Sequence, residues 1–148
     1  MSERAEKLKE LGVEIVGVSI DSHHTHNAWR NTPVENGGIG AVKYTLAADM
    51  NHSICKAYGI ESDGGDSYYP PGTAMRATFI IDKKGIVRQQ VVNDEPFGRN
   101  MDEVVRFVEA VQFFEEAGQV CPANWQKGDD GIVNTRDGIA DYLSKNNK

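Results

Sequence analysis

The chain has 148 residues, 39% of them hydrophobic and 26% charged, enough for one domain with a real core and too well endowed for wholesale disorder. Its formal charge is −6, and no Lys/Arg cluster extends beyond pairs such as Lys83-Lys84, which excludes a phosphate-tracking face and therefore a nucleic-acid partner. The opening MSERAEKLKE is charged from its second residue, and no stretch approaches the roughly 18 apolar residues of a membrane helix, so a cytoplasmic chain with no membrane partner is expected.

Residues 2–11 predict a short helix closed by Gly12. VEIVGVSI (13–20) is apolar on both alternations and predicts a central strand covered on both faces. Asp21-Ser22 offers an N-cap to a helix over 23–31, which Pro33 stops. The glycines at 37, 38 and 40 make 34–44 a loop; 45–49 predicts a short strand and 52–59 a short helix. ESDGGDSYYPPGTAM (61–75) is turn chemistry throughout and predicts an exposed loop. Residues 75–82 and 85–92 predict a hairpin turning at Asp82-Lys83-Lys84-Gly85. In the second strand Val87, Gln89 and Val91 alternate with Arg88, Gln90 and Val92, which suits a sheet edge used in dimerisation.

The clearest helix is 101–117, with Asn100 and Glu103 in capping-box positions and Gly118 at its end. Beyond it the chain is polar and turn-rich up to a last short helix near 136–145. The expected organisation is a core over 1–117 and a C-terminal arm over 118–148. That arm carries few apolar anchors besides Val120, Trp125, Ile132 and Val133, so it is expected to be the least stable part of the chain. The order helix–strand–helix–strand–helix–hairpin–helix gives an α/β layer fold, with helices on both faces of a mixed sheet.

Two cysteines far apart in sequence, Cys55 and Cys121, make neither a disulfide framework nor a paired-ligand metal site. Cys55, in His52-Ser53-Ile54-Cys55, reads as a small buried hydrophobe. His24 and His26 lie two apart and cannot share a helix face, so with His23 they predict no metal site, and no cofactor is expected.

Three long stretches carry a resemblance. GVEIVGVSIDSHHTHNAW (12–29), MRATFIIDKKGIVRQQVVNDEPFGRNMDE (75–103) and EEAGQVCPANWQKGD (115–129) resemble, in order, segments of the alkyl hydroperoxide reductase C and thiol-specific antioxidant family, the typical two-cysteine peroxiredoxins. The resemblance implies a thioredoxin-like fold and a peroxidase that reduces hydrogen peroxide and organic hydroperoxides. It implies that Cys121, in Gln-Val-Cys-Pro-Ala-Asn-Trp, is the resolving thiol, attacking a sulfenic acid on a partner subunit. Arg76 matches the arginine that favours the peroxidatic thiolate and polarises the peroxide, and Arg99 matches a second arginine that braces that site. Gly37-Gly38-Ile39-Gly40 and Tyr142-Leu143 resemble the loop and tail that buttress the peroxidatic helix in sensitive members, although Leu143 stands where many have Phe. The implied partners are a second copy, as a dimer or a ring of five dimers, and a thioredoxin or dedicated disulfide reductase.

Two departures accompany the match. The 61–75 segment is several residues longer than the usual link before Arg76. The Pro-x-x-x-Thr-x-x-Cys motif of the peroxidatic thiol is absent, so the fold is expected to be incomplete at its N-terminus and the chain by itself to be inactive. A second reading stays open on that ground: a redox-inactive peroxiredoxin-like module serving as an oligomer subunit or chaperone surface.

Overall fold

A computed structural model describes residues 2–65 and 68–146. By compactness the chain divides into two units, residues 1–101 and 102–148. The 101–117 helix thus groups with the segment after it, one helix earlier than the boundary expected at 118.

The first unit starts with α1 (Ser2–Glu10), whose Leu8 is buried and whose C-terminal turn ends at Gly12, as the sequence predicts. β1 (Val16–Ser19) follows, then α2 (His23–Asn31), capped at its start by the Ser22 hydroxyl, which accepts the Thr25 N–H at 3.2 Å. β2 (Thr45–Ala48) pairs parallel with β1, Val16 opposite Thr45 and Ser19 opposite Ala48. α3 (Ser53–Ala57) is a single short turn, set up by Asp49. That carboxylate is buried and accepts the N–H groups of Ile54 at 2.9 Å and Cys55 at 2.8 Å. It satisfies donors that a helix start leaves without intrahelical partners.

β3 (Arg76–Ile81) and β4 (Val87–Asn93) form the predicted hairpin, with Arg76 opposite Asn93 and an irregularity between Ile80 and Ile81. Its turn is fixed by Asp82, whose carboxylate accepts the N–H groups of Lys84 and Ile86 and the Arg88 Nε–H, all within 2.9 Å. Gly85 closes the turn at φ 79°, a left-handed conformation that other L-residues resist.

The α/β character holds, with one parallel and one antiparallel ladder, but among the described residues they stand as two two-stranded sheets. β1 therefore does not have the covering expected of a central strand: Val16 is 53% and Val18 45% exposed. Its β-branched composition states what the strand needs on both sides, while the described residues supply one ladder neighbour, β2. The 61–75 segment also departs from expectation, because Ser62 and Tyr69 are buried within it. The Ser62 hydroxyl donates to the Tyr69 carbonyl at 3.3 Å, and Glu61 bridges to Ala74, so the segment closes on itself.

The second unit is built on α4 (Met101–Ala117), ended by Gly118 at φ 66°, and α5 (Arg136–Asn146). Of the apolar anchors read from the arm, Trp125 is buried, while Val120 and Val133 are exposed. Its ring meets that of Phe113 at 4.9 Å, its Nε1–H donates to the Asp129 carbonyl at 3.1 Å, and its own carbonyl accepts from Arg106 at 2.9 Å. A large aromatic with its polar atom satisfied is the kind of anchor that can hold a polar segment to a helix.

Candidate active site

Cys121 lies between Val120, which exchanges two 2.8 Å backbone hydrogen bonds with Ile132, and Pro122. It is half-buried and makes no disulfide. Its thiol points at the Ala110 carbonyl of α4 at 3.7 Å, a weak hold by one long sulfur contact. Burial pushes the thiol above its ordinary value, and the positive charge of Arg106 pulls the other way. Arg106 is fixed by a fork of hydrogen bonds to Glu103 at 2.6 and 2.7 Å, a bidentate pairing that sets its plane.

Arg76 opens β3. Its backbone N–H donates to the Tyr69 hydroxyl at 2.6 Å, and its half-exposed guanidinium meets Glu95 at 3.5 Å, near the limit of a hydrogen bond. Arg99 reaches back to the same strand end, donating to the Ala77 carbonyl at 3.1 Å. The two arginines called from the sequence are thus brought to one end of β3, and Arg99 braces the backbone there. Cys121 belongs to the other unit.

Cys55 is 2% exposed, as expected of a small buried hydrophobe. Burial pushes its thiol up, with Asp49 and Glu61 adding negative charge on the same side. The histidines of α2 do not converge: His23 and His24 meet ring to ring at 4.0 Å, tilted by 40°, and His26 is buried with Nε2 2.7 Å from the Ser19 hydroxyl. In the glycine loop Gly38 lies against the Thr32 backbone. In the second unit Tyr142 lines a cleft of about 260 Å³ with Gln119, Asp130 and Lys145, while Leu143 is exposed.

Three residues that shape these positions were not singled out for a role: Tyr69 beneath Arg76, Glu95 beside it, and Arg106 near Cys121. Only Arg106 had a signal in the sequence, the i,i+3 spacing from Glu103 on a helix. Tyr69 and Glu95 come from loops, whose partners no periodicity announces.

Comparison with known proteins places the chain in a family. Residues 1–90 match the AhpC/TSA family, and residues 110–145 match the C-terminal domain of 1-Cys peroxiredoxin. The chain is 48% identical over 143 residues to alkyl hydroperoxide reductase C of Buchnera aphidicola subsp. Baizongia pistaciae, covering 96% of this chain and 68% of that protein. It is 45% identical over 146 residues to peroxiredoxin-2 of Rattus norvegicus, covering 99% of this chain and 71% of that one. Among solved structures, the reduced 2-Cys peroxiredoxin of Plasmodium vivax superimposes with a TM-score of 0.89 at 40% identity, over 97% of this chain and 70% of that one. The fold is therefore the thioredoxin-like α/β fold of peroxiredoxins, and the chain belongs to the AhpC/TSA family, that of the typical two-cysteine peroxiredoxins.

Proposed function

We propose that the chain supplies the resolving half of a thiol peroxidase cycle that reduces hydrogen peroxide and organic hydroperoxides, with Cys121 as the resolving thiol. A peroxidatic thiolate on the partner subunit attacks the peroxide and becomes a sulfenic acid, releasing water or an alcohol. The Cys121 thiolate then attacks that sulfur; an intermolecular S–S bond forms and the sulfenic oxygen leaves as water. A thioredoxin or dedicated disulfide reductase returns two electrons and frees both thiols. Arg76 favours the peroxidatic thiolate and polarises the peroxide O–O bond, and Arg99 holds the strand end that carries it.

The observation that carries this reading is the state of Cys121: unpaired, half-buried and held by one long contact to the Ala110 carbonyl. Such a thiol can leave its seat at small cost. Neither cysteine follows the Thr-x-x spacing of the peroxide-attacking thiol or opens a helix after a strand. The 148 residues alone are accordingly proposed to be inactive. The half-exposed Arg76 guanidinium, with its 3.5 Å contact to Glu95, is free enough to turn to a thiolate brought beside it. Pairing of two copies through β4 is supported by its single ladder neighbour among the described residues and by the exposure of Val87, Val91 and Val92; the assembly is a dimer or a ring of five dimers.

The test mixes the chain with a typical two-cysteine peroxiredoxin whose own resolving cysteine is replaced by Ser. Hydrogen peroxide should give a covalent heterodimer on non-reducing gels that thioredoxin reopens and that Cys121→Ser abolishes. In a thioredoxin-coupled assay the chain alone should show no turnover. Turnover by the chain alone that is lost in Cys121→Ser or Cys55→Ser would overturn these roles.

A further inference from the structure

Cys55 takes no part in the cycle, yet it is not isolated. Its sulfur, the His52 ring and the Glu61 carboxylate present one ligand atom each, all within 4.8 Å of one another. His52 Nδ1 and Glu61 Oε1 are 2.6 Å apart. We infer that His52, Cys55 and Glu61 form a zinc site that ties the start of the 61–75 segment to α3.

The donor set fits that ion. A thiolate, an imidazole nitrogen and a carboxylate oxygen are the three ligand types that borderline-soft Zn²⁺ accepts, and three protein ligands leave the fourth tetrahedral position to water. Zinc–ligand lengths of about 2.0–2.3 Å place neighbouring donors roughly 3.2–3.7 Å apart. With all three donors within 4.8 Å of one another, the sulfur needs at most a small inward shift, and the His52–Glu61 pair must open by less than an ångström to admit the ion. Both of those side chains are partly exposed and can make that adjustment. On binding, Cys55 loses its proton and a Zn–S bond forms; His52 binds through Nδ1 with its proton on Nε2. The thiolate and the carboxylate together balance the two positive charges.

The scaffold holds the donors in place. Asp49 accepts the Cys55 and Ile54 N–H groups and the Ser53 hydroxyl, so its carboxylate is consumed in positioning the turn and is not a fourth ligand. His52, at φ 59°, begins that turn, and Gly72 lies alongside its ring, where an added Cβ would be in ordinary contact at 3.6 Å from Cε1. The Ile60 N–H donates to the Cys55 carbonyl at 2.9 Å, which places Glu61 directly after the turn. Lys56 stands 3.8 Å from Glu61 and supplies the positive charge that the ion replaces.

The experiment titrates the reduced 148-residue chain with Co²⁺, then Zn²⁺. One Co²⁺ per chain should bind with a thiolate-to-cobalt charge-transfer band and the strong visible bands of a tetrahedral site, and Zn²⁺ should displace it. Cys121→Ser should keep these spectra, Cys55→Ser should abolish the charge-transfer band, and Glu61→Gln should weaken binding at least about tenfold. Zn²⁺ should also slow proteolysis within 61–75 in the parent chain and not in Glu61→Gln. His52→Asn, which tolerates a left-handed backbone, checks the nitrogen ligand should Cys55→Ser fail to fold. No charge-transfer band in the parent chain, or one that survives both Cys55→Ser and His52→Asn, would mean that the cluster is a hydrogen-bonded ion pair and nothing more.

Discussion

Tyr69 donates its hydroxyl hydrogen to the Asn93 carbonyl at 3.1 Å, while the same oxygen accepts the Arg76 N–H at 2.6 Å. Arg76 and Asn93 are the cross-strand pair at the end of the β3–β4 ladder, so a loop side chain closes that ladder where the candidate arginine sits. Removing the hydroxyl leaves a partly buried N–H and a carbonyl without this partner. Tyr69→Phe should therefore cost about 1–3 kcal/mol. Urea denaturation should show the midpoint falling with the slope unchanged; an unchanged midpoint would place the closure elsewhere.

The Cys121 thiol is pushed up by burial and drawn back by Arg106. Neutralising that charge removes the one influence that favours the thiolate. Arg106→Gln should move the pH midpoint of Cys121 alkylation upward, read by mass spectrometry of the Cys121 peptide. A downward shift would show that the loss of the Glu103 fork exposes the thiol more than the lost charge disfavours it. In the native parent chain Cys55 should stay unmodified until denaturant is added, because it is buried.

Asp82 organises the hairpin turn, and the Ile86 N–H, with further help from Arg88 and Lys84 against burial, holds its carboxyl below the ordinary 3.8. A carboxyl whose folded value is depressed contributes fully above its unfolded value and loses that contribution as pH falls through the folded one. The hairpin should therefore lose stability below about pH 4. Asp82→Asn should be less stable at neutral pH but flatter on the acid side. Thermal unfolding from pH 6 downward checks this, and parallel acid limbs would contradict it.

Gly38 and Gly37 separate two kinds of glycine requirement. A Cβ on Gly38 would stand 1.9 Å from the Thr32 carbonyl oxygen, a backbone atom that cannot turn aside, whereas Gly37 has open space but φ 85°. Gly37→Ala should cost about 1–2 kcal/mol for its left-handed backbone. Gly38→Ala should cost more, because the loop must shift away from α2. Equal melting temperatures for the two variants would show that the loop moves freely.

What could be read from the sequence was local. The ends of α1 and α4 were legible because Gly12 and Gly118 are C-terminal stops, and α2 was bounded by Ser22 and Pro33. The turn Asp82–Gly85 announced the hairpin by its composition alone. Partners across space were not legible. Tyr69 sits in a run of turn residues that reads as solvent-exposed, yet it is buried and its hydroxyl donates to Asn93, far along the chain. Val16 and Val18 read as core because composition records what a strand prefers to touch, and only the fold records what touches it. Of the site, Cys121, Arg76 and Arg99 were named from resemblance, and the structure adds their present contacts. The His52–Glu61 approach joins residues nine apart through a turn and a strand bridge, a geometry that carries no periodic signal.

β1 has consequences for how the chain behaves in a tube. Among the described residues its one ladder neighbour is β2, and Val16 and Val18 are exposed, so a row of backbone donors and acceptors with an apolar lining stays available for pairing. The solubility limit of the 148-residue chain should therefore be set by this strand and not by net charge, since −6 already favours dispersion. Light scattering should rise steeply with concentration and barely respond to salt, and a single Val16→Lys substitution should raise the ceiling.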